Sequence, residues 1–247
     1  MDVVPQNWYK TWFGNEYLTV YAHRDENEAR ELIRLLHSNL NLSQNSKIID
    51  LCCGQGRHAI RLAEMGYQVI GVDLSRTLLE AAKYLGKGNT AAKFVQADMR
   101  LLPFRKKFDL LLNLFTSFGY FETDEQNVSV FREFQKVLKT GACFVFDYMN
   151  TEHVRKTLIP CHKEQVDKTR IIQERTIKEG RVQKKITLKS GAEEAVFYES
   201  VKMYNPDTIY SMLESADLEI IQVFGNYDGS AFDETSPRLI VFGRTTG

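Results

Sequence analysis

The stretch Lys47-Ile48-Ile49-Asp50-Leu51-Cys52-Cys53-Gly54-Gln55-Gly56-Arg57 decides the fold. Ile48 and Ile49 are apolar and β-branched, as at the end of a buried strand. Asp50 closes that strand. Gly54 and Gly56 turn the chain, and helical spacing follows over residues 58–66, with Ile60, Leu62 and Ala63 as the buried face and Gly66 as a fitting stop. A glycine admits positive φ and lets a ligand approach the main chain. The first N–H groups of the helix point at whatever sits in the turn. Strand, glycine turn and helix together form the ligand-binding corner of a doubly wound α/β fold.

Working outward, residues 67–73 form a second strand ending in Asp73, which lies 23 residues after Asp50 (73 − 50). An acid placed there accepts hydrogen bonds from ribose hydroxyls in dinucleotide corners. Ser75 caps a helix through Leu85. Residues 93–99 form a third strand closing on Asp98. The apolar run 108–115 reads as a central parallel strand. A loop at 116–121 and a helix over 123–138 precede a fifth strand at 142–147. Five strand–helix units in succession imply a parallel sheet with helices on both faces. Strands at 218–224 and 238–242, after a helix opened by Asn205-Pro206, bring the sheet to seven strands, mostly parallel. Residues 160–204 alternate instead, with turns at Glu179-Gly180 and Ser190-Gly191, and read as three strands of a small inserted antiparallel sheet.

Residues 1–40 are read as an N-terminal helical lid. Asn7 to Tyr21 hold both tryptophans and four more aromatics, rings that serve as core or as walls over a ligand. The whole chain, 1–247, reads as one domain, with its core at 45–150 and residues 205–247 completing the sheet.

Lys+Arg and Asp+Glu both number 32, so the net charge is zero, which argues against nucleic acid as the main partner. Residues 151–190 hold 11 basic and 5 acidic residues, an excess of six read as a solvated sheet face. No apolar run is long enough to span a membrane, and the first residues lack a secretory pattern. Four cysteines without C-x-x-C spacing read as reduced thiols of a cytoplasmic protein, with no metal site.

Asp50-Leu51-Cys52-Cys53-Gly54-Gln55-Gly56, with Asp73 and Asp98 ending the next two strands, resembles the class I S-adenosylmethionine-dependent methyltransferases, and in particular their small-molecule, glycine N-methyltransferase-like members. The resemblance covers residues of about 45 to 150 and implies S-adenosylmethionine as cofactor. It implies that Asp50, Cys52, Gly54 and Gly56 pass close to the methionine part, and that Asp73, with Leu74, holds the ribose. It places Asp98 on the adenine amino group with Met99 beside the ring, Asn113 and Leu114 next to the sulfonium, and Arg24 on the cofactor carboxylate. Cys52 stands where the family often has glycine, so only its backbone is expected to face the ligand. The turn also lacks the last glycine of G-x-G-x-x-G, which speaks against a nicotinamide enzyme.

The expected activity is methyl transfer to N or O of a small molecule by in-line displacement. Tyr120, Tyr21 and His23 are the candidate catalytic side chains, and Tyr17, Phe118, Tyr148 and Asn150 the candidate acceptor wall. Two other readings are an RNA methyltransferase using the basic insert and a cofactor-binding module without transferase activity. The sequence leaves the oligomeric state open.

Overall fold

The structure is a computed structural model that describes residues 3–21, 26–87 and 92–246. His23 and Arg24 lie outside the described residues.

Seven strands form the main sheet: β1 (Lys47–Leu51), β2 (Gln68–Asp73), β3 (Lys93–Gln96), β4 (Phe108–Asn113), β5 (Leu138–Met149), β10 (Leu218–Phe224) and β11 (Arg238–Thr245). Their order is β10-β11-β5-β4-β1-β2-β3. The five strands from β5 to β3 pair in parallel, and β11 runs antiparallel to both its neighbours. Successive residues of a strand face opposite sides. Ile48 therefore joins Leu32, Leu36, Ala59 and Leu62 on one face, while Ile49 joins Phe131, Phe134, Ile209 and Leu213 on the other. The helices covering these faces are α3 (Glu26–Asn39) and α4 (Arg57–Glu64) on the first, and α6 (Asp124–Val137) and α8 (Pro206–Glu214) on the second, with α5 (Arg76–Leu85) lying along β2 and β3. The chain reverses its winding direction between β1 and β4, and the carboxyl ends of these strands open the crevice where α/β sheets bind ligands.

The structure departs from the sequence reading in four places. The third strand stops at Gln96, and residues 97–107 reach β4 by turns instead of a helix. Pro103 lacks an N–H donor, and the Leu102 N–H is taken by Glu133 Oε2 of α6 at 2.6 Å. The fifth strand begins directly after α6 and runs six residues longer than expected (12 against 6). The lid segment is two short helices, α1 (Trp8–Trp12) and α2 (Asn15–Val20), parted at Gly14. The insert has four strands, not three: β6 (Cys161–Val166), β7 (Thr169–Lys178), β8 (Arg181–Ser190) and β9 (Glu193–Lys202). The first of the three expected strands is split into β6 and β7 by a turn at Asp167-Lys168, where Asp167 takes φ 51 and no glycine marks the reversal. A short helix, α7 (Thr151–Thr157), leads into it.

Two positive-φ residues, Glu179 and Gly180, join β7 to β8, the backbone of a tight two-residue hairpin. The insert is tied to the core by main chain: Lys202 N–H donates to Gly119 O at 2.8 Å and Met203 N–H to Gly180 O at 2.8 Å. Arg181 of β8 adds bonds to the carbonyls of Gly119, Tyr120 and Phe121 at 3.0, 3.2 and 3.1 Å. Among the described residues no helix is long and apolar enough to cross a membrane.

Candidate functional site

A cavity of about 750 Å³ opens at the carboxyl ends of the strands and runs on beneath α1 and α2 to the inserted sheet. Its floor is the stretch that set the fold. Asp50, Cys52 and Gly54 line it, with Asp73 and Leu74 after β2, Asp98 and Met99 after β3, and Leu114 after β4. Tyr17, Tyr21 and Tyr120 line its upper wall.

The acids differ in how they are held. Asp73 accepts Gly54 N–H and Ser75 N–H, both at 2.8 Å, which fixes its carboxylate at the lip of the turn. Burial raises its pKa, against these backbone bonds. Asp50 is 2% exposed, and its Oδ2 has no hydrogen-bond partner among the described residues. Burial pushes its carboxyl up to about 7 against the Ala59 N–H, with the neighbouring Asp73 charge adding to the rise. Asp98 is paired with Arg100: Oδ1 accepts Nε at 3.0 Å and Oδ2 accepts Nη2 at 2.6 Å. Burial works to raise the Asp98 pKa, but the Arg100 bonds and charge bring it below the usual range. Arg100 also lies 4.1 Å over the Phe121 ring. The acid expected to meet an adenine edge thus carries a resident guanidinium, and a carboxylate has lone pairs beyond those Arg100 takes.

Cys52 adopts φ 61, the left-handed region that usually selects glycine. Its side chain packs in the wall, Sγ 3.5 Å from Met99 Sδ. Burial and the charges of Asp73, Asp50 and Asp98 hold the thiol well above its usual pKa. It is a neutral, apolar wall element and a poor nucleophile.

Five expected site residues stand outside the cavity wall. Gly56 caps α4 at φ 79, and a Cβ there would meet the Phe94 ring at 2.8 Å, so its glycine serves helix packing. Asn113 is buried beneath the floor, where Nδ2 reaches the carbonyls of Leu51 and Ser117 at 3.4 Å each. Phe118 is core, stacked on Phe131 with centroids 4.5 Å apart. Tyr148 is fully buried and its hydroxyl donates to Lys202 O. Asn150 caps α7 and holds the carbonyls of Asp233, Glu234 and Ser236. Of these, Asn113 and Tyr148 lie on strands, and the alternation of side chains along β4 and β5 turns them into the core.

Tyr120 lies against Trp8, Tyr9 and Phe13, at centroid distances of 5.0, 6.5 and 6.0 Å. Burial raises its phenol far above the usual value, so it stays protonated. Tyr21 Oη donates to Glu199 Oε1 at 2.9 Å and accepts from Lys184 Nζ at 2.7 Å. Trp12 Nε1 donates to the same Glu199 oxygen at 2.7 Å. Lys184 and Glu199 form an ion pair at 2.7 Å. Burial by itself raises the Glu199 carboxyl, but Lys184, Tyr21 and Trp12 bring it below its ordinary pKa.

Sequence reasoning passed over this Glu199–Lys184 pair, whose signal was the alternation that puts both on one face of the hairpin. It also passed over Asp147, fully buried at the end of β5, which accepts Phe115 N–H, Tyr227 Oη–H and Arg238 Nε–H, each at 2.8 Å. Arg238 donates on to Thr116 Oγ1 at 3.0 Å. Phe115 and Thr116 both take positive φ, 56 and 61, in the cavity wall. The Asp147–Arg238 pair holds that strained corner in place.

The floor has the features that an S-adenosyl group needs. Among the described residues, no atom outside its own chain neighbours lies within 4 Å of a Cβ built at Gly54, which leaves its backbone open to close approach. Asp50 offers an unpartnered buried oxygen, and Asp73 a fixed acid one strand over.

Residues 48–141 match the methyltransferase domain family. Over that stretch the chain is similar to the class I S-adenosylmethionine-dependent methyltransferases, and S-adenosylmethionine is the cofactor of that class. Among relatives, the uncharacterized methyltransferase sll0829 of Synechocystis sp. is 37% identical over 108 residues, 43% of this chain and 48% of that protein. The dTDP-3-amino-3,4,6-trideoxy-alpha-D-glucopyranose N,N-dimethyltransferase of Streptomyces venezuelae is 28% identical over 120 residues, 49% of this chain and 48% of the relative. The chain spans less than half the length of the first curated relatives it matches. In fold it is similar to the CcbJ methyltransferase of Streptomyces caelestis, at TM-score 0.82 and 18% identity over 96% of this chain and 99% of the other.

Proposed function

We propose that the protein transfers a methyl group from S-adenosylmethionine to a nitrogen or oxygen of a small-molecule acceptor. The observation that carries this reading is the continuous cavity of about 750 Å³, which begins at Asp50 and Asp73 and ends under the aromatic helices and the inserted sheet. A chamber roofed by Trp8, Tyr9, Phe13 and Tyr17 suits a compact acceptor and excludes water. The Streptomyces venezuelae relative, an amino-sugar N,N-dimethyltransferase, supports a small acceptor.

The sulfonium supplies an already activated methyl carbon, so the protein's part is alignment and dryness. Asp73 and Leu74 fit the ribose, Met99 the adenine ring, Asp50 and Gly54 the methionine part, and Leu114 the region of the methyl group. Arg24 remains the proposed partner of the cofactor carboxylate, and His23 remains a candidate beside the acceptor. An amine acceptor must present its lone pair, so it is received neutral. Tyr21, held between Glu199 and Lys184, is placed to orient it. Residues 8–20 act as a lid in this reading, and 161–202 as the acceptor wall. The unbridged thiols support a cytoplasmic setting.

The basic insert gives the RNA reading little support. Several of its cations are committed locally, Lys184 to Glu199, Lys189 to Glu194, Lys178 to Glu179 and Arg181 to loop carbonyls. Incubation with methyl-labelled cofactor and a panel of small amines and alcohols is expected to label an acceptor. Labelling of RNA alone would overturn the proposal, and cofactor binding without any transfer would favour the non-catalytic module.

A further inference from the structure

The acceptor end of the cavity holds an arginine that is bonded to a neutral amide and not to a carboxylate. Arg175 of β7, Lys184 of β8 and Glu199 of β9 stand directly opposite one another across three strands, and all three line the cavity. Glu199 is the only carboxylate in this row, and it pairs with Lys184 at 2.7 Å. Arg175 has no carboxylate within ion-pair distance among the described residues. Its Nη2 donates to the neutral Gln173 Oε1 at 2.5 Å. Gln173 is itself 95% buried (5% exposed), and its Nε2 donates to Glu164 Oε1 at 3.1 Å. The amide therefore stands between Glu164 and Arg175 and fixes the guanidinium's orientation. Glu164 is turned toward His162, 3.9 Å away.

Two cations directly opposite each other on a sheet repel. The row has one carboxylate for two cations, and the second carboxylate lining this end, Glu164, reaches Arg175 only through the Gln173 amide, which leaves the guanidinium without a direct counter-ion in a half-enclosed chamber where Coulomb interactions are stronger than in bulk water. A guanidinium pre-oriented by a buried amide is built for two-point recognition of a planar or tetrahedral oxyanion.

We propose that Arg175 is the seat for an anionic group of the methyl acceptor, a carboxylate or a phosphate. This rests on the methyltransferase reading only for the word acceptor; the anion site itself stands on Arg175, Gln173 and the unbalanced row. The acceptor would then be an amine or alcohol that also bears an oxyanion, the anion on the sheet and the reacting atom toward Leu114. Neutral amines of the same size would bind the same chamber with one contact missing.

The test uses the full-length protein and two probes, inorganic pyrophosphate and succinate, titrated calorimetrically at constant ionic strength with and without S-adenosylhomocysteine. At least one probe is expected to bind the wild type. Arg175→Gln is expected to weaken that probe about tenfold or more, the loss of a charge-assisted hydrogen bond. Arg175→Lys is expected to restore part of it, and Arg155→Gln, an exposed arginine on α7, to leave it unchanged. Which probe binds separates phosphate from carboxylate. Equal binding by wild type and Arg175→Gln, or binding by neither, overturns the proposal. Probe binding that depends on Arg175 in a protein that never binds S-adenosylhomocysteine would keep the anion site and remove the methyltransferase reading.

Discussion

Glu199 of β9 accepts the indole N–H of Trp12 at 2.7 Å, a contact between residues 187 apart in the chain. The same carboxylate takes Tyr21 and Lys184, so one side chain fastens both roof helices to the inserted sheet. Glu199→Ala is expected to cost about 3 kcal/mol or more, because Lys184 loses its counter-charge in a mostly buried place. Trp12→Phe keeps the ring, removes one bond to a charged acceptor, and is expected to cost about 1.5–3 kcal/mol. Urea unfolding measures both, and hydrogen exchange over residues 8–20 should quicken first. Unchanged exchange there would mean the roof is held by packing alone.

Asp73→Ala is expected to weaken S-adenosylhomocysteine binding by about tenfold or more, from lost ribose bonds and from release of the Gly54 turn. Asp98→Ala should weaken it less, since Arg100 already occupies part of that carboxylate. Calorimetric affinities equal to wild type for both variants would place the cofactor elsewhere.

The floor carries two buried titrating groups with opposite pH signatures. Asp50 has a folded pKa of about 7, above the unfolded 3.8, so from pH 3.8 to 7 the folded state holds a proton the unfolded state has lost. Stability from this group therefore falls as pH rises through that window. Burial, with the Arg57 charge, lowers His58 from 6.5 to about 3, so the unfolded state binds the extra proton between those values. Stability from His58 falls as pH drops through its window. The two slopes oppose each other in the wild type. Asp50→Asn should leave a protein that loses stability toward pH 3, and His58→Asn one that gains it. Thermal unfolding across pH 4–7 reads the slopes, and parallel curves for all three proteins would refute the assignment.

Asp147 is fully buried against Arg238, with Oδ1 2.7 Å from Nη2. Asp147→Asn should cost about 3–5 kcal/mol by stranding the cation. It should also loosen the Phe115–Thr116 corner, raising KM for cofactor in the molecules that remain folded. A fully folded variant with wild-type KM would deny the corner its dependence on the pair.

Cys52→Ala should leave turnover close to wild type, and alkylation of Cys52 at neutral pH should be slow by mass spectrometry, because its thiol pKa is raised. Rapid modification accompanied by loss of activity would assign the sulfur a chemical part.

The sheet was legible in the sequence because each strand wrote its own pattern. The β-branched pair Ile48-Ile49, the acids Asp73 and Asp98 and the apolar run into Asn113 gave order and direction. The glycine turn marked the strand–helix corner that lines the cavity. Local pattern does not carry long-range placement. Tyr148 and Asn150 follow a strand end as a ligand contact would, and only the packing of β5 against β11 turns them inward. Glu199 and Arg175 sit among ordinary alternating residues of a polar sheet, and nothing local marks them as facing a chamber. The division of the first insert strand into β6 and β7 was hidden for a related reason: the turn at Asp167-Lys168 carries no glycine or proline to mark it.

The insert meets the core through backbone carbonyls and amides at Gly119, Tyr120, Phe121 and Lys202, all read by Arg181 or by main chain. Side chains join these contacts: Tyr148 Oη donates to Lys202 O, Trp12 and Tyr21 reach Glu199, and Ile171, Ile186 and Leu188 pack in the same core cluster as Phe118 and Tyr148. The insert is therefore keyed to this core twice, by main chain and by side chain. A different four-stranded sheet grafted in its place has to carry both sets of partners, the arginine after the Glu179-Gly180 hairpin and the carboxylate that receives the two roof helices.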